Sequence, residues 1–500
     1  WPPLHQVTDL QYLRSVDVSI LLPRNHTSAD DYYRRFWQRA WDEAQDSLAR
    51  ASPTKSPEHT PCPKVYVYNL SEAFSDTNNS NRTSLSNAFG KVTIGGWNGR
   101  LRDTIQHHVG VIFEHRLLHQ PDNCYVTDDP TEADLFFVPM LLRRKKASEW
   151  ASACRDVNAT ALLDELTHLT PETECKHFFV FPKGHYSGEH CQGWFFDPLP
   201  RLRNAMRLAY SHTPGTADDS QLMYFTKAAS NPEQAKLRHP NLVSIPYPSS
   251  LHWYGTENLH ASTKPSLVEN ETMSSADPEL QSGSNATIIA SPSQQRTTKE
   301  EFEMPSSRHL PSHRPFLMSY VGRFDHGDVE VRRRIQQQCE SYQDARKCHL
   351  PGSDIRRRSS LPSEDILVKG ESIFCLEPAG DSPWRKGLTD SITFGCIPVL
   401  FSDLSDDITP WHWEDWKHRA RVLIDRDDFL SGRIDLFELL SSIPSDMLRV
   451  MQTTLQKHAR EYQYSLTDDK RDAFHLTLTK MKEEATKKVL SGQCGTKQIS

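Results

Sequence analysis

The 500-residue sequence has no apolar run of about 18 residues, the length that a helix needs to cross a bilayer. It also lacks an excess of positive charge. Its 58 Lys and Arg residues stand against 65 Asp and Glu residues, which argues against a general nucleic-acid-binding protein. Hydrophobic residues reach only 37% and prolines number 32, so we expect an ordered core interrupted by exposed, partly disordered segments.

Short motifs of several protein classes are missing as well. The ten cysteines form no Cys-x-x-Cys pair, so a structural zinc site has little support. No G-x-G-x-x-G follows a predicted first strand, which argues against an NAD-dependent α/β enzyme. No Walker lysine motif is present, which argues against a P-loop kinase or NTPase.

Glycosylation sequons and the even number of cysteines favour a secretory compartment. The pattern N-x-S/T occurs at Asn25, Asn69, Asn78, Asn81, Asn158, Asn270 and Asn285. We therefore expect a protein of the Golgi or ER lumen, held as a type II membrane protein by a segment that precedes Trp1.

Short apolar runs separated by helix-length stretches predict an α/β fold with parallel strands. The predicted strands cover residues 64–70, 133–140, 177–183, 221–227 and 242–248, and then 315–324, 372–378, 396–402 and 420–425. The predicted helices cover residues 30–50, 102–119 and much of 445–488.

These patterns divide the chain into five parts. They are a stem or accessory segment at 1–60, an α/β domain at 61–260, a disordered Ser/Thr/Pro-rich insertion or linker at 261–313, a second α/β domain at 314–465 and a helical tail at 466–500.

Residues 374–403 carry the most chemical information. A predicted strand ends at Pro378, and Ser382 and Pro383 suit the start of a helix that Gly395 would end. The start of such a helix lies at the carboxyl edge of the sheet, where its free N–H groups favour an anion. Arg385 and Lys386 fall in that first turn, so the residues fit a diphosphate site. A solvated basic turn on an ordinary βαβ unit fits them about as well.

Residues 380–403 read GDSPWRKGLTDSITFGCIPVLFSD and resemble the signature of exostosin-type glycosyltransferases, glycosyltransferase family 47. Other segments resemble that family in the same order: KVYVYNL at 64–70, TDDPTEADLFFVPM at 127–140, RPFLMSYVGR at 314–323 and ESIFCLEPAGDSP at 371–383. The resemblance covers residues 62–258 and 314–465.

The resemblance implies a GT-B fold, in which two Rossmann-like domains face a cleft and the second holds the donor. It also implies transfer of a sugar from a nucleotide-sugar, expected to be a UDP-sugar, to a polysaccharide or glycoprotein glycan with inversion. Donor contacts would come from Gly322, Arg323, Gly380, Asp381, Ser382, Arg385, Lys386 and Asp390, with Arg385 on the diphosphate. For Asp390 an i,i+4 ion pair with Lys386 is an equal alternative.

The sequence departs from many relatives after Asp403. Trp411 and Trp413 are candidates for an aromatic wall against a sugar, and core packing is the alternative. The candidates for the catalytic base are His185, Glu189 and Glu114, with His177 as a further one. A lone His or Glu is more often structural.

Neither a metal nor another cofactor is expected to be required, and Mn²⁺ or Mg²⁺ would act as a stimulant. Asp425-Arg426-Asp427 fits an Asp-x-Asp metal pattern, although three-letter patterns also recur by chance. The rival function is a non-catalytic partner subunit or a glycan-binding protein, since exostosin-type chains can work in pairs. A homo- or hetero-oligomer with another exostosin-like chain would fit either function.

Overall fold

The computed structural model describes most of the two predicted α/β regions. The described residues are 28–50, 61–71, 84–93, 99–119, 123–139, 159–181, 200–210, 241–255, 314–342, 344, 346–350, 366–380, 385–407 and 409–494. The predicted strand at 221–227, the predicted insertion and six of the seven sequons lie outside them, whereas Asn69 is described and exposed. Within the described ranges, no helix combines the length and the hydropathy that crossing a membrane requires.

The first half of the chain forms a parallel sheet of five strands that lie side by side in sequence order. The strands are β1 (Val65–Val67), β2 (Leu135–Phe137), β3 (His177–Val180), β4 (Met206–Ala209) and β5 (Leu242–Ser244). Apart from partly buried positions in β1 and β5, their side chains are buried. Continuous burial explains why these strands read as unbroken apolar runs.

The second half forms another five-stranded parallel sheet, in the order β10-β9-β8-β6-β7. Its strands are β6 (Phe316–Ser319), β7 (Cys348–His349), β8 (Ser372–Glu377), β9 (Ile397–Leu400) and β10 (Val422–Leu423). The chain leaves β6 toward β7 on one side and returns to β8 on the other side. The boundary between β6 and β8 is therefore a topological switch point, and such a sheet binds ligands in the crevice beyond the carboxyl ends of these strands.

Twelve α-helices are described. They are α1 (Ser28–Arg50), α2 (Leu85–Phe89), α3 (Val109–Leu118), α4 (Ala159–Glu165), α5 (Val329–Ser341), α6 (Val368–Glu371), α7 (Lys386–Thr393), α8 (Asp403–Asp406), α9 (Arg426–Leu430), α10 (Leu436–Ser441), α11 (Ser445–His458) and α12 (Ala473–Leu490).

The β8–α7–β9 unit matches the predicted strand–turn–helix–strand pattern. Gly395, at φ +67°, ends the helix as predicted, because a left-handed residue is needed there. Helix α7 begins at Lys386, three residues later than Pro383, and residues 381–384 lie outside the described ranges. A disulfide between Cys375 and Cys396 ties the two strands of the unit together.

Each half of the chain is completed by a helix from the opposite end of the sequence. Helix α1 buries Trp37 and Trp41, and the Trp37 indole donates to the Leu439 carbonyl at 3.2 Å. The predicted accessory segment thus packs on the second half. Helix α12 packs on the first half, where the Phe474 ring lies 5.0 Å from that of Phe113.

Ion pairs and a disulfide fix helix α12 on the first sheet. Arg116, fully buried in α3, pairs with Asp472 at 2.5 Å and Asp468 at 3.0 Å. Lys482 pairs with Asp134 at 2.8 Å. A disulfide joins Cys175 to Cys494, just beyond the helix.

The described residues hold two further disulfides, Cys62–Cys124 and Cys339–Cys348. With the two already named, they account for every described cysteine. Cys154 and Cys191 lie outside the described residues.

Candidate active site

The loops after β6 and β8 meet at the switch point, where Arg332 of helix α5 holds them together. Its guanidinium donates to the Ala379 carbonyl from Nε at 3.1 Å and from Nη2 at 2.8 Å. Its Nη1 donates to the Arg323 carbonyl at 2.7 Å. Gly327, at φ +72°, lets the α5 loop pass so close that a Cβ there would lie 2.7 Å from Gly380 Cα. No motif in the sequence pointed to Arg332.

Arg385 projects into this crevice from the start of helix α7. Its Nη2 donates to the Val321 carbonyl at 2.6 Å, and its guanidinium lies 5.6 Å from the centre of the Tyr320 ring. The side chain is 16% exposed. Its Nη1 is buried and has no hydrogen-bond partner among the described residues. An unpaired buried donor is costly, so this nitrogen is suited to a ligand.

Glycines at two positions make room for the guanidinium. A Cβ on Gly322 would lie 3.1 Å from both terminal nitrogens of Arg385, and a Cβ on Gly387 would lie 2.9 Å from Nη2. Gly380 lies on the same side, where a Cβ would contact the Arg385 Cγ at 3.6 Å. The structure thus brings Gly322, Gly380 and Arg385 together, and their binding of a donor stays a prediction.

A buried carboxylate lies beneath Arg385. Glu377 Oε2 is 3.7 Å from Arg385 Nε, and Glu377 Oε1 is paired with the ammonium of Lys369. Burial raises the pKa of Glu377, but the charges of Lys369 and Arg385 outweigh it, so the pKa lies below its usual range. Burial lowers the pKa of Arg385, and Glu377 reverses that shift. Both groups are therefore charged at neutral pH.

The Asp390 carboxylate is engaged in contacts with other residues of the protein. Its carboxylate pairs with Lys386 at 2.9 Å, accepts from the Ser250 N–H at 2.7 Å and accepts from the Ser249 hydroxyl at 3.1 Å. The predicted role on a donor hydroxyl does not fit this arrangement, and the ion-pair alternative does. The Lys386 ammonium also contacts the Ser250 hydroxyl. Lys386 and Asp390 therefore hold the segment around residue 250 against helix α7.

The Arg323 side chain lies largely at the surface. It is 54% exposed and pairs with Asp325 at 3.0 Å, while its carbonyl accepts from the Tyr320 hydroxyl at 2.7 Å. The other two predicted donor residues, Asp381 and Ser382, lie outside the described residues.

The two tryptophans that were candidates for a sugar-facing wall differ in how deeply they are buried. Trp413 is fully buried, with its ring 4.6 Å from Trp416 and 5.8 Å from Tyr462. The prediction that it faces a sugar is therefore wrong, because the ring packs in the core, which was the alternative. Trp411 is partly exposed at the edge of the same cluster.

His177 does not have the surroundings of a general base. His177 is the first residue of β3, stacks on Phe136 at 4.7 Å and contacts the Tyr68 hydroxyl at 2.8 Å. Burial lowers its pKa to about 4. It lies at the amino end of its strand, opposite the edge where ligands bind. Glu114 is buried in helix α3, and His185 and Glu189 lie outside the described residues.

Asp103 is a carboxylate near the crevice that the sequence did not single out. Its neighbour Arg102 donates a backbone N–H to the Ser250 carbonyl at 2.8 Å, and Ser250 contacts Lys386. The Asp103 side chain is partly exposed. Burial raises its pKa, and the nearby charge of Lys386 opposes the shift. This environment suits a group that accepts a proton.

The Asp-x-Asp pattern serves a different purpose. Asp425 caps helix α9 by accepting from the Asp428 N–H at 2.8 Å, and Arg426 pairs with Asp328 at 3.0 Å. In the part of the chain that is described, no three His, Cys, Asp or Glu side chains form a group that could hold a metal ion.

Residues 247–420 match the family model of the exostosin GT47 domain. This part of the chain is therefore similar to exostosin GT47 domains. The match covers the segment around Ser250, the switch-point loops and the β8–α7–β9 unit, so the crevice lies within the matched residues.

Three curated relatives match this chain over 146 to 151 residues. A probable xyloglucan galactosyltransferase of Arabidopsis thaliana, GT13, is 29% identical over 147 residues, which is 29% of this chain and 31% of the relative. The xyloglucan-specific galacturonosyltransferase 1 of that plant is 31% identical over 29% of this chain and 22% of its own length. Its xyloglucan galactosyltransferase MUR3 is 29% identical over 28% of this chain and 22% of its own length. The chain thus spans about a third or less of these relatives.

Proposed function

We propose that this protein is a glycosyltransferase that moves a sugar from a UDP-sugar to a glycan, with inversion. The observation that carries the proposal is Arg385, a charged donor at the switch point within the residues that match the exostosin GT47 domain, whose Nη1 has no partner among the described residues. A diphosphate in the crevice would accept from that nitrogen and from N–H groups at the start of α7. The relatives' names make a galactosyl or uronosyl donor and a xyloglucan-type polysaccharide the first pair to test.

The departing nucleotide develops negative charge on its diphosphate in the transition state. Arg385 is already in position to stabilise that charge, because Val321 and Glu377 hold its guanidinium. Fixed donors of this kind contribute a factor of about 10²–10³ in rate. The crevice thereby supplies leaving-group stabilisation from protein groups.

The acceptor hydroxyl must lose a proton, and we assign this step to Asp103. Its segment contacts Ser250, which in turn contacts the first residue of helix α7. A base beside the donor site can take the proton of the attacking hydroxyl. Its raised pKa makes it a stronger base than an exposed aspartate. His185, Glu189 and Glu114 remain predictions.

The proposal also includes the domain arrangement and the cellular compartment. Two Rossmann-like domains would face a cleft in a GT-B arrangement, with the acceptor on the first and the donor on the second. The four disulfides support an oxidising compartment, for which we propose the Golgi lumen. An exostosin-like partner chain remains compatible with this function.

The function is tested with a panel of UDP-sugars, by calorimetric binding and by slow hydrolysis of the donor. We expect wild type to bind and hydrolyse one of them, and Arg385→Ala to lose a factor of about 10²–10³ in turnover. Asp103→Asn should keep UDP affinity and lose transfer. Arg346→Ala is the matched control, because this arginine is also ion-paired but is 76% exposed, beside β7.

Two results would contradict the proposal in different ways. Binding without turnover, in the presence of acceptor oligosaccharides, would favour the non-catalytic partner subunit. Failure of wild type to bind UDP or any UDP-sugar would remove the donor site at Arg385.

A further inference from the structure

A buried ion pair lies directly behind Arg385. Lys369 of helix α6 and Glu377, the last residue of β8, are 2% and 1% exposed, and Lys369 contacts Glu377 Oε1. The Ser391 hydroxyl donates to the same oxygen at 2.7 Å and accepts from Lys369 at 2.9 Å. Oε1 is thus held by two donors, which fixes the carboxylate.

The other oxygen of Glu377 lies beside Arg385. Oε2 has no hydrogen-bond partner among the described residues and lies 3.7 Å from Arg385 Nε. A Cβ on Gly387 would lie 2.5 Å from Oε2, so a glycine is needed in the first turn of α7 for the carboxylate to lie there. Arg385 is consequently held by Glu377 at Nε and by the Val321 carbonyl at Nη2.

The pair adds no net charge to the crevice. Burial lowers the pKa of Lys369, and the charge of Glu377 opposes that shift. With both groups charged they neutralise each other, so Arg385 would carry the same single positive charge without them. A buried ion pair is also a weak source of stability, since an apolar pair of similar volume often does as well. The Lys369–Glu377 pair is therefore not explained by added charge at the site or by added folding stability. It is explained by a role in holding Arg385 in place.

We propose that Lys369 and Glu377 are positioning residues that hold the Arg385 guanidinium so that Nη1 faces the donor diphosphate. This rests on the proposed donor site. Glu377 anchors Nε from below, and Lys369 with Ser391 keeps Glu377 in place. Because the anchor is preformed, the guanidinium loses little conformational freedom when the nucleotide binds.

The test is a double-mutant cycle between this pair and Arg385, read by UDP affinity and by kcat and KM. The paired variant Lys369→Met/Glu377→Gln keeps the volume and the net charge of the site, so long-range attraction for UDP is unchanged. We expect it to weaken UDP binding about tenfold when Arg385 is present and to cause no further loss in the Arg385→Ala background. A merely structural pair would produce the same fold loss in both backgrounds.

A second variant guards against misfolding of the first. Ser391→Ala removes one of the two donors to Glu377 Oε1 without leaving a buried charge unpaired and without placing a new atom against Arg385, and alanine is a good helix residue. It should also weaken UDP binding when Arg385 is present and cause no further loss in the Arg385→Ala background.

The outcomes separate the two proposals. Wild-type affinity in both variants, with a loss in Arg385→Ala, would overturn the positioning role and leave the donor site standing. Equal fold losses with and without Arg385 would also overturn it. Absence of UDP binding by wild type would overturn both.

Discussion

Glycine at position 322 allows a charged side chain to lie against the end of strand β6. The Arg385 guanidinium fills the space where a Cβ would be, with both terminal nitrogens 3.1 Å from that point. The Tyr320 hydroxyl lies 2.8 Å from the same point. The position of Arg385 therefore depends on the absence of one methyl group.

We predict that Gly322→Ala lowers UDP affinity about tenfold while folding persists, because the methyl group pushes the guanidinium out of place. Calorimetric titration with UDP and a urea denaturation curve measure the two effects. Gly492→Ala is the control. Gly492 has φ +67° with no neighbour within 4 Å, so its substitution costs stability and spares affinity. Unchanged UDP binding by Gly322→Ala would contradict the prediction.

The location of single residues was predictable where they lie in a motif quoted above. Gly322, Gly380 and Arg385 all lie in the quoted motifs, and the structure brings them together. Asp390 and Trp413 lie in or near the same stretch, yet both are buried by partners far away in the sequence. Local spacing cannot show such burial, and for the same reason Glu377 was not identified as the support of Arg385.

At the scale of elements, helix α1 shows how tertiary packing decides the role of a segment. Its tryptophans face the second half, and its Tyr32 hydroxyl donates to Asp428 at 2.9 Å. On the opposite side, Arg35 is exposed. The helix is thus a structural part of the half that carries the crevice.

We predict that Trp37→Ala destabilises the protein by about 3–5 kcal/mol, because a large buried ring is removed and its indole hydrogen bond is lost. Urea unfolding, followed by a probe in the second half, measures the change. Arg35→Ala on the exposed face of the same helix should change stability by no more than about 0.5 kcal/mol. Equal effects of the two substitutions would show that α1 is a detached stem.

Most strands were predicted because continuous apolar runs are characteristic of buried parallel strands. Strand β4 was missed because Arg207 interrupts its apolar pattern, although the arginine is itself buried. Strand β7 was missed because it has only two residues at the edge of its sheet. The start of α7 was placed too early, because the backbone of Arg385 is extended and the helix begins only after it.

At the scale of the whole molecule, both halves hold histidines in surroundings that exclude a charge. Burial lowers the pKa of His177, His412 and His475 to about 4 and that of His252 to about 3. An unfolded chain titrates near 6.5, so between these values the unfolded state binds more protons than the native state. Stability therefore falls as the pH falls below about 6.5.

We predict that lowering the pH from 7 to 5.5 reduces the free energy of unfolding by on the order of 1 kcal/mol for each buried histidine. Glu377 and Asp406, with pKa values below their usual range, titrate at lower pH and do not act in this window. Urea unfolding at a series of pH values gives the slope. His412→Gln should reduce the slope of the unfolding free energy against pH by the contribution of about one bound proton. A free energy that does not change over this pH range would refute the prediction.

The exchange of helices between the two halves has a consequence for biosynthesis. Helix α12, which buries Phe474 against Phe113, is translated after the entire second half. Helix α1 emerges early and must wait for its partners around Leu439. A nascent chain therefore cannot complete its first half before its second half, although domains usually fold in the order of their synthesis. Native packing of the first half is therefore completed only after α12 has been synthesised, late in translation or after release.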